Sequence, residues 1–583
     1  MKKSHKTFLP AFLSILLCSL GNAPGYARGG QELVNAGSWV YDAFAAMAIE
    51  SGTVDFSDQA PLSVDELRTY LDEIDYDILS PAGKSLYRRV VEYFDDDDLS
   101  LKTDIIQMGI RPEMNLEGYY KFNDNLDWVY GRYDKKPLLY APLFLNLMDY
   151  ATLGMDLEVG INKKQMEKKD DYTNVPLSDK QINMDFPKTG YLSTGYKFTD
   201  KTGVNFRIGM GEQDVGRAFT GSIIHSRYLT GTSWANLEIF NPNVRYNMNV
   251  TQLNVDKYMY THRFDFRFFD KLSLSVQEST LAYSPLELRF LNPLTVFHGM
   301  HDWKDYFPAG NPYGWDESAC AYLAVKASYA LTNNVRIYGL YAQDQLQLPS
   351  EMSRDSDTTP NAMGGQLGVE SFIPLSEGYL HSRAEAYYAM PYLYIKESPN
   401  WSMMRSYTEN IGYSDTEDAL YEWIGSPFGP DTAAFKGAVG YEVPGRWSIT
   451  ATGLVMARGE MSGTKVFNGS NYYNKNWYGK DKLFPTSGYD VGQWAFPNAN
   501  TQGNKAAKKK QGLSTPSTNN GGATEYVLNA ALKLTYEPFN YLSVQVQPSY
   551  TYVMNSGNVE GKTRHGPELS VSIKIRIPEM FRK

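Results

Sequence analysis

His262–Met300 reads HRFDFRFFDKLSLSVQESTLAYSPLELRFLNPLTVFHGM, and its first two arms decide what kind of sheet the chain builds. Phe264, Phe266 and Phe268 alternate with Arg263, Asp265 and Arg267, and Leu272, Leu274 and Val276 then alternate with Ser273, Ser275 and Gln277. A period of two, interrupted at Phe269-Asp270-Lys271, predicts two strands joined by a tight turn. One face of this hairpin is wholly apolar and the other carries two guanidiniums and a carboxylate, so the polar face has to meet water or charged partners. Strands of a membrane barrel have this pattern, with apolar side chains toward lipid and charge toward a wet lumen. A soluble β-sandwich alternates equally well with its polar side in solvent, so the choice rests on the rest of the chain.

The 583 residues are 42% hydrophobic and 14% aromatic, with 44 Tyr, and the mean hydropathy is −0.42. No run of about 18 apolar residues offers a membrane-spanning helix. Met1–Lys6 is basic, Thr7–Leu20 is apolar but short, and small residues gather at Gly21-Asn22-Ala23 and Gly25-Tyr26-Ala27. We read residues 1–27 as a secretory signal cleaved after Ala27 or Ala23. The competing lipoprotein reading at Cys18 has Leu16-Leu17 where a small residue is wanted. Cleavage after Ala27 moves the formal charge from −10 to about −13, which makes nucleic acid an unsuitable partner. Only Cys320 then remains, so no internal disulfide framework is available and stability has to come from closing the sheet.

After the signal, Trp39–Glu50 (WVYDAFAAMAIE) has helical propensity with Gly52 as a stop. Ser63-Val64-Asp65-Glu66 is a capping-box signature ahead of Leu67, Leu71 and Ile74, and Ser80-Pro81 opens a third helix carrying Leu86, Val90 and Phe94. Three short amphipathic helices bury a face only against one another or against something larger, so 28–109 is expected to cap the sheet as a periplasmic helical region. Asp95–Asp98 lacks the spaced ligands and turn glycine of a calcium loop and reads as a solvated linker.

From about 110 the helix signal gives way to alternating segments, such as Val204-Phe206-Ile208-Met210 and Leu569-Val571-Ile573-Ile575-Ile577. Short connections (200–203, 332–334, 444–446, 538–540) alternate with long polar ones at about 162–188, 211–245, 343–364, 396–432 and 457–524. Short turns at one end and long loops at the other are how transmembrane barrels are built. The expectation is therefore an all-β antiparallel outer-membrane barrel over 110–583, with on the order of 16 to 18 strands and long extracellular loops.

Catalytic chemistry is hard to find: no nucleophile elbow, zincin helix, phosphate loop or paired cysteine ligands stand in the right context. His298, His301, Asp302 and Asp305 have ligand-like spacing, but an aromatic-rich strand end at the membrane interface accounts for them, and neither metal nor cofactor is expected. Asn474, Asn476, Trp477, Tyr478 and Trp494 mix flat apolar faces with amide donors, the combination that stacks on sugar rings and bonds their hydroxyls. Barrels also place Tyr and Trp at their interfacial girdles. Arg263, Asp265, Arg267 and Gln277 are expected to face the lumen in one hydrogen-bonded network, with Glu278, of opposite parity, beyond the lipid-facing band.

The N-terminal stretch GSWVYDAFAAMAIESGTVDFSDQAPLSVDELRTYL (Gly37–Leu71) resembles the helical opening of the capsule-assembly Wzi family, in which a helix, a Gly-plus-aliphatic turn, a Pro-Leu/Ile-Ser step and a second helix follow in order. Similar blocks recur at His262-Arg263-Phe264, Val276-Gln277-Glu278, Leu291-Asn292-Pro293-Leu294 and Ala342-Gln343-Asp344. Gly216–Ser226 looks like the family's strand before its long middle loop, without the tryptophan expected near Arg217. The same helices also look like a single surface-layer-homology repeat, which leaves a peptidoglycan-facing role open. The resemblance to the Wzi family implies an 18-stranded barrel with a periplasmic helical region, acting as a lectin-like, non-enzymatic anchor or assembly factor for surface polysaccharide. Its partners would be that polysaccharide and outer-membrane lipid, and we expect a monomer. A diffusion porin for small solutes is the alternative, and an outer-membrane hydrolase or lipid-modifying enzyme a third.

Overall fold

The computed structural model describes residues 28–95, 99–123, 126, 136–161, 171–176, 182–185, 189–297, 319–346, 348, 361–395, 402–410, 417–460, 462, 515–518 and 522–580. Three helices come first: α1 (Trp39–Glu50), α2 (Val64–Leu71) and α3 (Pro81–Phe94). Their ends follow local chemistry. Ser63 Oγ accepts the Glu66 amide at 3.3 Å and Ser80 Oγ accepts the Gly83 amide at 3.1 Å, satisfying N–H groups the helices leave free. Gly52, at φ 68°, takes the left-handed conformation just after α1. Leu86, Val90 and Phe94 lie one turn apart on the buried face of α3, in a core shared with α1, α2 and two wall residues, Phe372 and Tyr379.

Among the described residues, 18 antiparallel strands close into a barrel. They are β1 (Glu113–Lys121), β2 (Leu139–Leu147), β3 (Ala151–Ile161), β4 (Gly190–Lys197), β5 (Gly203–Met210), β6 (Ser233–Phe240), β7 (Val244–Asn254), β8 (Lys257–Phe268) and β9 (Leu272–Tyr283). Then follow β10 (Ala319–Thr332), β11 (Val335–Gln345), β12 (Ala362–Leu375), β13 (Gly378–Ala389), β14 (Thr432–Val443), β15 (Trp447–Arg458), β16 (Glu525–Phe539), β17 (Leu542–Met554) and β18 (Arg564–Arg576). Closure runs from Glu568 opposite Lys121 to Arg576 opposite Glu113, which removes the sheet's edges. Strand structure starts before β1: Leu99–Lys102 and Ile106–Ile110 form a hairpin that extends the wall against β2.

The β8–β9 register pairs Phe264 with Val276 and Arg263 with Gln277. Phe264 and Val276 are 43% and 38% exposed on the outer face, while Arg263 is 1% exposed inside. The same parity puts Phe206 and Ile208, Phe435 and Val439, and Leu528, Leu532 and Leu534 outside, an apolar belt suited to hydrocarbon. Aromatics crowd both rims: Phe198, Trp447, Tyr536 and Phe539 at the short-turn end, Tyr120, Tyr388, Tyr526 and Tyr550 at the other. Among the described residues no helix is long and apolar enough to cross a membrane.

The helices sit at the short-turn end of the barrel. The Val54 amide donates to the Asp270 carbonyl at 2.9 Å, and Arg89 of α3 pairs with Glu537 at 3.2 Å. Three long connections differ from the sequence reading, and one of them, 162–188, holds two short strands, Asp171–Thr173 paired with β1 and Ile182–Asp185 paired with β3. The stretch 211–245 is not one external loop, because it contains β6; Trp234, Asn236, Glu238 and Phe240 point inward there, and the resulting mixture of apolar and polar side chains on one face hides the alternation. Likewise 396–432 contains a hairpin, Met404–Asn410 with Glu417–Trp423. Gly216–Ser226 is no wall strand either: it folds into the barrel, helped by Gly216 and Gly221 at φ 79° and 85°.

Candidate functional site in the lumen

Carboxylates of the N-terminal segment meet cations of the wall, and one of the inward-folded segment 211–232, at successive positions. Arg111 grips Glu32 with both Nη atoms, at 2.7 and 3.2 Å. Asp42 meets Arg217 at 3.3 Å and Arg383 at 3.1 Å, and Asp55 pairs with Arg336. Asp58 receives Arg263 at 2.7 Å and Lys326 at 3.2 Å. Glu66 lies between Arg207 at 2.9 Å and Arg245 at 3.1 Å; both arginines also hold Glu238 of β6, so two carboxylates and two guanidiniums alternate in one buried box. Buried charges in such numbers persist only when each is paired, and removing one partner of such a pair is strongly unfavourable. Burial alone would raise the Asp58 carboxyl, but Arg263 and Lys326 outweigh it and hold it far below the usual carboxylate range.

The inward-folded segment 211–232 closes over this layer. Asp214–Val215 pairs as a short antiparallel strand with Gln59–Ala60, and the Gly216 amide donates to the Asp58 carbonyl at 3.1 Å. From the wall, Glu385 accepts the amides of Phe219 and Thr220 at 2.8 and 3.0 Å, and Gln366 accepts the Ile223 amide at 2.8 Å. The Tyr322 hydroxyl donates to the Ile223 carbonyl at 2.7 Å. Above these bonds lies an apolar layer that includes Ile223, Ile224, Leu340, Leu393, Met403 and Met456. Burial pushes the Asp214 carboxyl up to about 7, against the pull of Arg217, Arg227 and Lys326. A cavity of about 30 Å³ lies between segment and wall, lined by Arg207, Arg245, Arg263, His225 and Trp234 among others, with room for only a few water molecules.

Of the four lumen residues named from sequence, Arg263 and Asp265 are brought together at 2.8 Å, and Asp265 also receives Gln59 at 2.7 Å. Arg267 turns to Asp270 at 2.6 Å and lies 4.3 Å from the Phe56 ring centre, while Gln277 donates to Ser279 at 3.1 Å. Glu278 is half-buried opposite His262, whose ring packs edge-on to Phe297 at 4.4 Å. Asn474, Asn476, Trp477, Tyr478 and Trp494, the His298–Asp305 stretch, Asp96–Asp98 and residues 1–27 lie outside the described residues. Asp58, Glu66, Arg207, Glu238, Arg245 and Glu385 were missed. A signal for the wall residues exists: in β7, Arg245, Asn247, Asn249 and Thr251 alternate with Val244, Tyr246, Met248 and Val250.

Among solved structures, the fold is similar to that of Wzi from Escherichia coli, an outer-membrane protein involved in group 1 capsule assembly and a carbohydrate-binding β-barrel. The TM-score is 0.52 at 12% identity, over 94% of this chain and 99% of that one. Overlaps with the outer-membrane channel DcaP of Acinetobacter baumannii (TM-score 0.33, 10% identity, 82% of this chain and 99% of that one) and with OprD from Pseudomonas aeruginosa (0.36, 8%, 80% and 93%) are too loose to bear on this chain. No family model and no curated protein matches the sequence. At 12% identity the likeness to Wzi speaks to fold alone. The chain is an outer-membrane β-barrel.

Proposed function

We propose that this barrel holds or assembles a surface polysaccharide, capsule or exopolysaccharide, at its outer face, as a binding protein and not an enzyme. The observation that supports this most is the occupied centre of the lumen, where residues 28–95 and 211–232 meet the wall through buried ion pairs and an apolar layer. A diffusion porin, the competing function, needs a continuous aqueous path. Likeness in fold to a carbohydrate-binding barrel supports the same reading.

With the lumen occupied, recognition falls to the long external connections. Trp477, Tyr478 and Trp494 are our stacking platforms, with Asn474 and Asn476 as hydroxyl partners. One ring contributes about 0.5–1.5 kcal/mol beyond area burial, so useful affinity needs several loops on a repeating polymer. Arg263, Asp265, Arg267 and Gln277 then serve closure and not ligand binding. Replacing Trp477 and Trp494 by Ala should leave a heat-resistant, inserted barrel that no longer retains surface polysaccharide on cells. Unchanged retention removes these residues from the site, and a large, voltage-stable conductance of the unmodified protein overturns the reading in favour of the porin.

A further inference from the structure

The lumen is not filled evenly. On β7, β8 and β9 the inward side chains Asn249, Arg263 and Gln277 are buried. Across the barrel, β14–β17 present short or polar inward side chains: Ala438, Thr450, Thr452, Ala531, Lys533 and Gln545. These are partly exposed and Lys533 is exposed, although its chain neighbours Leu532 and Leu534 are the ones on the lipid face. Solvent that reaches Lys533 therefore reaches it from inside. Thr535, Ser543 and Ser448, nearer the short turns, are also partly exposed, so the open sector is continuous to that mouth. One rim is bounded by α3 through the Arg89–Glu537 pair.

Toward the outer end the sector stops within two steps of the pleat. Thr452 is registered with Ala531, and four residues further along β15 Met456 is registered with Val527. Leu454, Met456, Val527 and Val553 are all buried and belong to the apolar layer that roofs the inward-folded segment. Leu454 is still flanked in register by the partly exposed Lys436 and Asn529, and the wall turns uniformly buried and apolar at the next inward row, Ala434, Met456 and Val527, so the change from the partly wet wall at Thr452 is complete over four residues, about 13 Å of strand. A layer of this kind excludes ions by staying dry, because hydrating it exposes apolar surface with no compensating hydrogen bonds.

We infer that β14–β17 enclose a blind aqueous vestibule, open at the periplasmic mouth to small hydrophilic solutes, and that Leu454, Met456 and Val527 form a hydrophobic gate between it and the outer face. This is independent of which polymer, if any, the external loops bind. The first test uses single cysteines in a background with Cys18 and Cys320 replaced by Ala, and a sulfonated, membrane-impermeant methanethiosulfonate as probe. Thr452→Cys and Ala531→Cys should lose their free thiol as an exposed cysteine does, while Ser275→Cys, inward on the packed side, stays unreacted over the same interval. Equal protection of all three in barrels with normal heat-modifiable mobility overturns the vestibule. The second test records planar-bilayer currents from Met456→Ser/Val527→Ser, with Met456→Ala alone as the milder variant should the pair fail to insert. Ion-conducting steps absent from the parent, and blocked by probe at Thr452→Cys in the same chain, are the expected result. Folded gate variants that conduct no more than the parent, or a parent that conducts as they do, overturn the gate.

Discussion

Replacing Asp58 by Asn removes one charge and almost no volume from the middle of the ion-pair layer. Arg263 and Lys326 then lose a carboxylate at 2.7 and 3.2 Å. Hydrogen bonds to charged groups contribute about 1.5–3 kcal/mol each, and removing one partner of a buried pair costs about 3–5 kcal/mol. The low end applies, because Arg263 keeps Asp265 at 2.8 Å and Lys326 keeps the Arg217 carbonyl at 3.0 Å. About 3 kcal/mol corresponds to roughly a hundredfold shift toward an undocked N-terminal segment. The wall, closed by its own ladder, should keep its heat-resistant mobility. The assay is the urea dependence of a brief protease pulse, read as cleavage within 28–95 while the barrel stays intact. Glu73→Gln is the control: Glu73 pairs with Lys201 across a largely exposed contact that solvent screens. Equal midpoints for the two variants would refute the reasoning, since buried pairing would then hold the segment no more firmly than a surface pair.

Acidification below about pH 4 should act in the same direction. The depressed Asp58 carboxyl stabilises docking above its unfolded value of about 3.9, and this contribution is lost as pH falls through that value and below. Asp214 has the opposite sign: raised to about 7, it favours the docked form at low pH, and that contribution is lost as pH rises from about 4 to 7. Docking, measured by a protease pulse at fixed pH after equilibration at each test pH, should therefore be firmest near pH 4 to 5, and Asp214→Asn should lessen the loss on the alkaline side only, where the Glu66 carboxyl, also raised by burial, still contributes. Val276→Arg places a charge on the lipid face and should destabilise the inserted barrel by about 2–4 kcal/mol in bilayer refolding titrations. Ser80→Ala removes the α3 N-cap and should weaken that helix by about 1 kcal/mol, seen as faster amide exchange at Gly83–Leu86 with the barrel unchanged.

By itself the sequence determined what is decided between a side chain and its immediate medium. Alternation at Phe264, Phe266 and Phe268 set the outer face of β8, because a charge set against lipid is unfavourable wherever the chain goes next. Ser63 and Ser80 announced helix starts because a cap acts within three residues. Only the tertiary structure decided the partners. Glu66 reads as the second half of a capping box, yet its carboxylate reaches Arg207 and Arg245, more than a hundred residues away, since a buried carboxylate goes to the nearest cation that closure of the barrel brings round. The route of 211–232 was equally illegible: a polar connection satisfies its amides in water outside or on Glu385 and Gln366 inside, and nothing local distinguishes the two. The wet sector along β14–β17 has the same origin, because Ala, Thr and Gln suit a packed lumen and a hydrated one alike, and it is the placement of the N-terminal segment to one side that leaves them in water.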